Sequence, residues 1–271
     1  MSKTKELRIR WFNDACYEIT LPNGKGILID PYIDESKFKK LDSDCVEHAD
    51  YILISHTHFD HFLDLAKIAD RFDSQIFVGQ GSGMELAKCY DVAGYRMNFC
   101  SPGEHIATDD FELQVFRGKH TKLGDFDRPA KWPENIAKDG LDPKTIELNM
   151  WGSYEYMIYL LTLPSNFRIL IWGGGADTRS ITQAKEFAPD VAIAQLPRES
   201  TDAVAQLYAA IGGRVIFPHH HDFFIAQGEP GMKVISETIE KTKKLAPDTL
   251  VISPEKGKWY RIQTSVELDE E

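Results

Sequence analysis

YILISHTHFDHFLDLAKIADRF, residues 51–72, places three of the chain's nine histidines and an aspartate directly behind a run of apolar and β-branched residues. Tyr51 to Ile54 reads as a buried strand, and Phe62, Leu65, Ile68 and Phe72 recur at spacings of three and four, the stripe of a helix with one apolar face. Between strand and helix stand His56, His58, Asp60 and His61. Three imidazoles and a carboxylate crowded together repel or desolvate one another unless a cation joins them. His56 and His58, two apart in extended chain, point to the same side and can share an ion. Asp60 and His61 fall at the turn into the helix, where the chain changes direction and aims them at a neighbouring position. The spacing suits two ions better than one.

Working outward, LRIRWF, ACYEITL and GILID read as strands, the last two joined by the hairpin signal Asn23-Gly24. Ile76 to Val78 is a further apolar run. FELQVF, YEYMIYLLTL and FRILIW follow, the last two around the turn Pro164-Ser165-Asn166. Beyond them the pattern predicts a helix over 180–187, a strand over 191–195, a helix over 202–211, a strand over 214–217, a helix over 231–245, then the strands TLVIS and KWYRI. Strands dominate both halves, with helices between or after them. That order predicts an α/β molecule of two packed sheets with helices on the outer faces. With no Ser/Gly-rich or Pro-rich linker, residues 1–271 are expected to form one domain. The stretch 121–150 carries three prolines, many charges and no sustained period, and is expected to be an insertion that shapes the substrate pocket through Phe126, Trp132 and Trp151. An oligomer contact is its alternative use.

A net charge of -11 gives nucleic acid a repulsive average field and argues against that partner. No apolar run approaches the ~18 residues of a membrane span, and no long apolar stretch follows the first lysines. The four cysteines are scattered without a CxxC pair, so neither a disulfide framework nor a thiolate metal site is signalled. A cytoplasmic protein is expected.

Further donors lie where other strands run out. His120 follows FELQVF, Asp177 follows FRILIW through three glycines, and His219, His220 and His221 follow VIF. Assembled, His56, His58 and His120 would hold one ion. Asp60, His61 and one of the three consecutive histidines would hold the other, with Asp177 between them. Arg198 is a candidate contact for an anionic substrate, and those of the three histidines that are not ligands are candidates to line the pocket, His221 among them.

HTHFDH matches the HxHxDH signature of the metallo-β-lactamase superfamily, and His120, Asp177 and His220 match its remaining ligand positions in order. The resemblance runs from LRIRWF to KWYRI. It implies a four-layer αββα sandwich of mixed sheets and a two-metal hydrolytic site. "GILIDPYID", "WGGGADT" and "RVIFPHHHDF" look most like the branch containing L-ascorbate-6-phosphate lactonase. In that branch the final ligand follows a proline by two residues, which points to His220. The resemblance also suggests Asp30 as a carboxylate supporting a metal-bound imidazole. Many members of the branch carry Gly-His where this chain has Asn13-Asp14.

The function expected is a metal-dependent hydrolase, lactonase-like, in which water activated between two divalent ions attacks an ester, lactone or phosphoester of a small metabolite, with Asp60 orienting it. Imidazole and carboxylate donors suit zinc, and manganese or iron can use the same set. The alternatives are a phosphodiesterase of lipid-like or nucleotide-like esters, and a sensing protein that binds metal and ligand without turnover.

Overall fold

The computed structural model describes residues 6–120 and 142–263. The first sheet has the order β14-β1-β2-β3-β4-β5-β6, from β1 (Glu6–Asn13), β2 (Cys16–Thr20), β3 (Gly26–Ile29), β4 (Tyr51–Leu53), β5 (Gln75–Gly79), β6 (Met97–Cys100) and β14 (Trp259–Gln263). The second runs β13-β12-β11-β10-β9-β8-β7, from β7 (His105–Ala107), β8 (Glu112–Arg117), β9 (Met157–Thr162), β10 (Arg168–Trp172), β11 (Val191–Gln195), β12 (Val215–His219) and β13 (Leu250–Val251). Each sheet is half antiparallel and half parallel: β14, β1, β2 and β3 pair antiparallel and β3 to β6 parallel, while β7 to β10 pair antiparallel and β10 to β13 parallel.

Side-chain alternation explains how the sheets stack. In β9, Tyr159 and Leu161 enter the core between the sheets, whereas Ile158 and Leu160 face the opposite side; Ile169 and Ile171 of β10 divide from Leu170 and Trp172 in the same way. Leu7, Ile9, Tyr17, Ile19, Ile27 and Ile29 of the first sheet meet the inward set of the second. The helices α1 (Leu65–Phe72) and α2 (Gln80–Tyr90) cover the first sheet through Leu65, Ile68 and Leu86. The second is covered by α4 (Thr178–Ala184), α5 (Thr201–Ile211), α6 (Asp222–Ile225) and α7 (Glu229–Leu245), and α3 (Pro143–Tyr154) precedes β9. The expected αββα layering is therefore present. Among the described residues no helix is long and apolar enough to cross a membrane.

Two local readings change. The helix behind the histidines begins at Leu65, after a 3-10 turn over Phe59–His61, so Phe62 buries its ring from the turn. The end of the stretch read as irregular is α3: Asp142 accepts from the backbone of Lys144 and Thr145, and Pro143 occupies the first turn. Residues 121–141 lie outside the described residues, and with them Phe126 and Trp132.

The pairing directions place the site. β3 and β4 run parallel, and β8, β10 and β12 share one direction through the antiparallel strand β9. Asp30, His56, His120, Asp177 and His220 each follow the C-terminal end of one of these strands. At this edge the sheets are joined where Met157 N donates to the Ser55 carbonyl at 2.8 Å.

Candidate metal centre

Two groups of donors form at that edge. One ligand atom each from His56, His58 and His120, and likewise from Asp60, His61 and His220, lie within 4.8 Å of one another. The His56 ring is 4.3 Å from His58, 4.0 Å from His61 and 5.0 Å from His120 between centroids, so the groups adjoin.

Backbone conformation aims these side chains. His58 is extended before the 3-10 turn, which swings Asp60 and His61 away from it. Asp14, Asp30 and His220 have φ of 44°, 46° and 55°, in the left-handed region that non-glycine residues enter at a cost. For His220 this breaks the alternation of β12 and turns the ring toward His61. A bond from His220 N to the Asp14 carbonyl at 2.9 Å holds the turn.

Asp30 and Ser55 organise the rings from behind. Ser55 N donates to Asp30 Oδ1 at 2.7 Å, Ser55 Oγ donates to Oδ2 at 2.7 Å, and His61 Nδ1 is 2.8 Å from the same Oδ2. The His61 proton therefore sits on Nδ1, leaving the lone pair on Nε2. His56 Nδ1 is 3.0 Å from Ser55 Oγ, while His56 Nε2 is buried and meets no hydrogen-bond partner among the described residues. A buried imidazole nitrogen that meets no hydrogen-bond partner, in a ring grouped with two other imidazoles, is what a metal would satisfy.

The electrostatics agree. Burial, with the neighbouring imidazoles, holds His56, His58 and His220 well below the ordinary histidine range, so they stand neutral and ready to ligate. Burial also opposes charge on His61, but Asp30 and Asp60 outweigh it and its pKa is raised. Burial raises Asp60, against the pull of His61. Neutral imidazoles beside carboxylates, without thiolate, fit a borderline divalent ion.

Asp177 joins neither group. It caps α4, accepting from Ser180 N at 2.8 Å, and pairs with Lys119 Nζ at 2.9 Å; the Ser180 bond and the lysine hold its carboxyl down at about 2. The preceding glycines are needed for close packing, since a Cβ on Gly173 would collide with the Tyr156 hydroxyl and one on Gly174, at φ 110°, with the Lys119 carbonyl. Arg198 lies over the Phe223 ring at 3.6 Å, near enough to disfavour charge on His220. His221 is 0% exposed and stacked on Trp11 at 4.1 Å, because adjacent residues diverge and the turn sends His220 outward. His219 is also internal, with Nε2 2.9 Å from the Trp172 carbonyl.

Sequence reasoning missed Ser55, Tyr156 and the contribution of α3. Tyr156, just before β9, packs its ring against His56 at 4.5 Å between centroids, tilted by 34°. The Thr57 hydroxyl donates to the Leu148 carbonyl at 2.9 Å, Phe59 N donates to Asn149 Oδ1 at 2.9 Å, and His58 Nε2 is 3.0 Å from Ser153 Oγ. The signal available for α3 was Asp142-Pro143, a cap followed by a first-turn proline.

The family model described as "Beta-lactamase superfamily domain" matches residues 8–220. Among curated proteins the chain is 25% identical over 228 residues to a UPF0173 metal-dependent hydrolase of Polynucleobacter asymbioticus, covering 78% of this chain and 73% of that protein. Alignments with several other UPF0173 relatives span half of their length or less. Among solved structures, Igni18, a metallo hydrolase of Ignicoccus hospitalis, superposes with a TM-score of 0.62 at 14% identity, covering 95% of this chain and 98% of that one. CmlA, a diiron β-hydroxylase of Streptomyces venezuelae, gives a TM-score of 0.62 at 12% identity, covering 96% of this chain and 54% of that one. Such different chemistry on one scaffold shows that these two likenesses carry the fold alone.

Proposed function

We infer, from the premise that the chain belongs to the metallo-β-lactamase superfamily, that it is a metal-dependent hydrolase of a small anionic ester, lactone or phosphoester. The observation that carries the reading is the pair of adjoining donor groups, His56, His58 and His120 beside Asp60, His61 and His220. Divalent ions bound there, with zinc preferred and manganese or iron alternatives, supply Lewis-acid polarisation of a substrate oxygen and lower the pKa of water.

The chain's own residues do the rest. Asp30 holds His61 through Nδ1 and Ser55 holds His56 through Nδ1, so both rings enter the site oriented. Asp60 is proposed to help hold one ion and to orient the activated water. Asp177 is proposed as the further carboxylate between the groups, giving up its exposed pairing with Lys119, a contact worth at most about 1 kcal/mol. Arg198, steadied over Phe223, is proposed to meet the substrate's negative charge at the rim. Residues 1–271 are proposed to act as one unit, with 121–150 shaping the pocket.

A second reading is a binding protein without turnover. It is favoured by Asp14, which stands where the related branch often has histidine and is anchored by Ser36 Oγ at 2.7 Å, with its carboxylate 3.9 Å from His220 Nδ1. Assays with zinc, manganese and iron across carboxylic esters, lactones, phosphomonoesters and phosphodiesters separate the readings. The expected result is turnover in one class, reduced at least about 10²-fold by Asp60→Ala. Phosphodiester turnover alone favours the phosphodiesterase alternative, and metal binding with no turnover in any class favours the binding protein.

A further inference from the structure

Helix α3 lies against the metal-binding loop closely enough to decide which nitrogen of His58 faces inward. A Cβ on Gly152 would come within 2.7 Å of the Thr57 carbonyl carbon and 2.8 Å of His58 N and Cδ2, so the helix touches the loop at a residue with no side chain. One residue on, Ser153 Oγ lies 3.0 Å from His58 Nε2 and donates to the Asn149 carbonyl at 3.1 Å. A serine hydroxyl has one proton. With that proton engaged by Asn149, the oxygen can only accept from His58, which places the imidazole proton on Nε2 and the lone pair on Nδ1.

We propose that Ser153 is a positioning residue that fixes His58 as its Nε2–H tautomer, so that Nδ1 is the atom presented to an ion shared with His56 and His120. This rests on the metal-site reading above. It adds that the ligand atom is selected from α3, a helix outside the histidine-bearing loops, through the chain His58 Nε2–H to Ser153 Oγ–H to the Asn149 carbonyl. His56 and His61 are fixed in the other sense, their Nδ1 atoms turned back toward Ser55 and Asp30.

The test reads the tautomer directly. In metal-free, ¹⁵N-labelled protein, long-range proton–nitrogen correlation of the histidine rings, with His58 assigned from its loss in His58→Gln, is expected to show the Nε2–H form. Ser153→Ala is expected to convert it to a mixture and to weaken zinc binding at the His56, His58 and His120 group by about 10- to 100-fold, as loss of an imidazole's supporting partner does. Ser153→Thr, which keeps the hydroxyl, is expected to restore both. Alanine favours a helix, so an unchanged melting temperature of metal-free Ser153→Ala is expected and separates positioning from unfolding. An Nδ1–H form in the wild type, or an Nε2–H form and zinc affinity unmoved in Ser153→Ala, overturns the proposal. If the wild type holds the tautomer yet binds no zinc at these residues, the site reading fails, and the ligand assignment falls with it.

Discussion

His61 Nε2 and His220 Nε2 face each other at 3.2 Å, one from the turn after β4 in the first sheet and the other from the end of β12 in the second. Two imidazole nitrogens at that distance share either a proton or an ion. Since Asp30 draws the His61 proton to Nδ1, His61 offers a lone pair to whatever lies between them.

Asp30→Asn keeps the shape and an acceptor for Ser55 N but removes the charge behind His61. Zinc affinity at the Asp60, His61 and His220 group is expected to fall about 10- to 100-fold, measured by competition with a chromophoric chelator. An affinity equal to wild type would contradict the role given to Asp30.

Acid is expected to empty the two groups in order. His56 and His58 have lowered pKa values, so protons compete for them only well below the ordinary histidine range, whereas His61, with its raised pKa, takes a proton at higher pH. As pH falls, the Asp60, His61 and His220 group therefore releases its ion first. Cobalt substitution followed by absorption during acid titration checks this, and simultaneous or reversed release counts against it.

At an open helical position Gly152→Ala would stabilise by about 1 kcal/mol. Here the added methyl meets the backbone of Thr57 and His58, and the expected sign reverses to a loss of about 1–3 kcal/mol. Denaturant titration gives the sign. A stabilised variant would mean that α3 does not press on the loop.

Asp14 carries a pH signature. Burial first, then the charges of Asp222 and Asp60, raise its carboxyl to about 7, against the Ser36 hydrogen bond and Lys256. The folded state thus holds a proton that the unfolded chain has lost above about 4. This contribution to stability is present at low pH and disappears as pH rises to 7, the direction set when the folded pKa exceeds the unfolded one. In metal-free protein Asp14→Asn is expected to raise stability at pH 8 by on the order of 2–4 kcal/mol, and by much less at pH 4.5. Equal effects at both pH values would show that Asp14 is not held protonated.

Much of this was legible because strand alternation and ligand spacing are local. The run before His56, the two-residue step to His58 and the strand-end positions of His120 and His220 sit in the sequence within a few residues of what they signal. What was hidden depends on long-range contact. Nothing near Ser153 announces a histidine 95 positions away, and α3 lacks a strong apolar stripe because its buried side includes Thr145, Asn149 and Gly152, chosen for fit to the loop. Among the three consecutive histidines the proline two residues before His220 singled that residue out, but the left-handed turn at His220 that separates its ring from those of His219 and His221 has no signal in the sequence. Asp177, read as a ligand from its position after the glycines, also caps α4 from that position.

The account stands or falls on where ions bind. Anomalous diffraction from crystals grown with zinc, recorded above and below the zinc absorption edge, should show two peaks, one among His56, His58 and His120 and one among Asp60, His61 and His220. Crystals fully equilibrated with zinc that show no peak at either group, or peaks only at surface carboxylates, would contradict it.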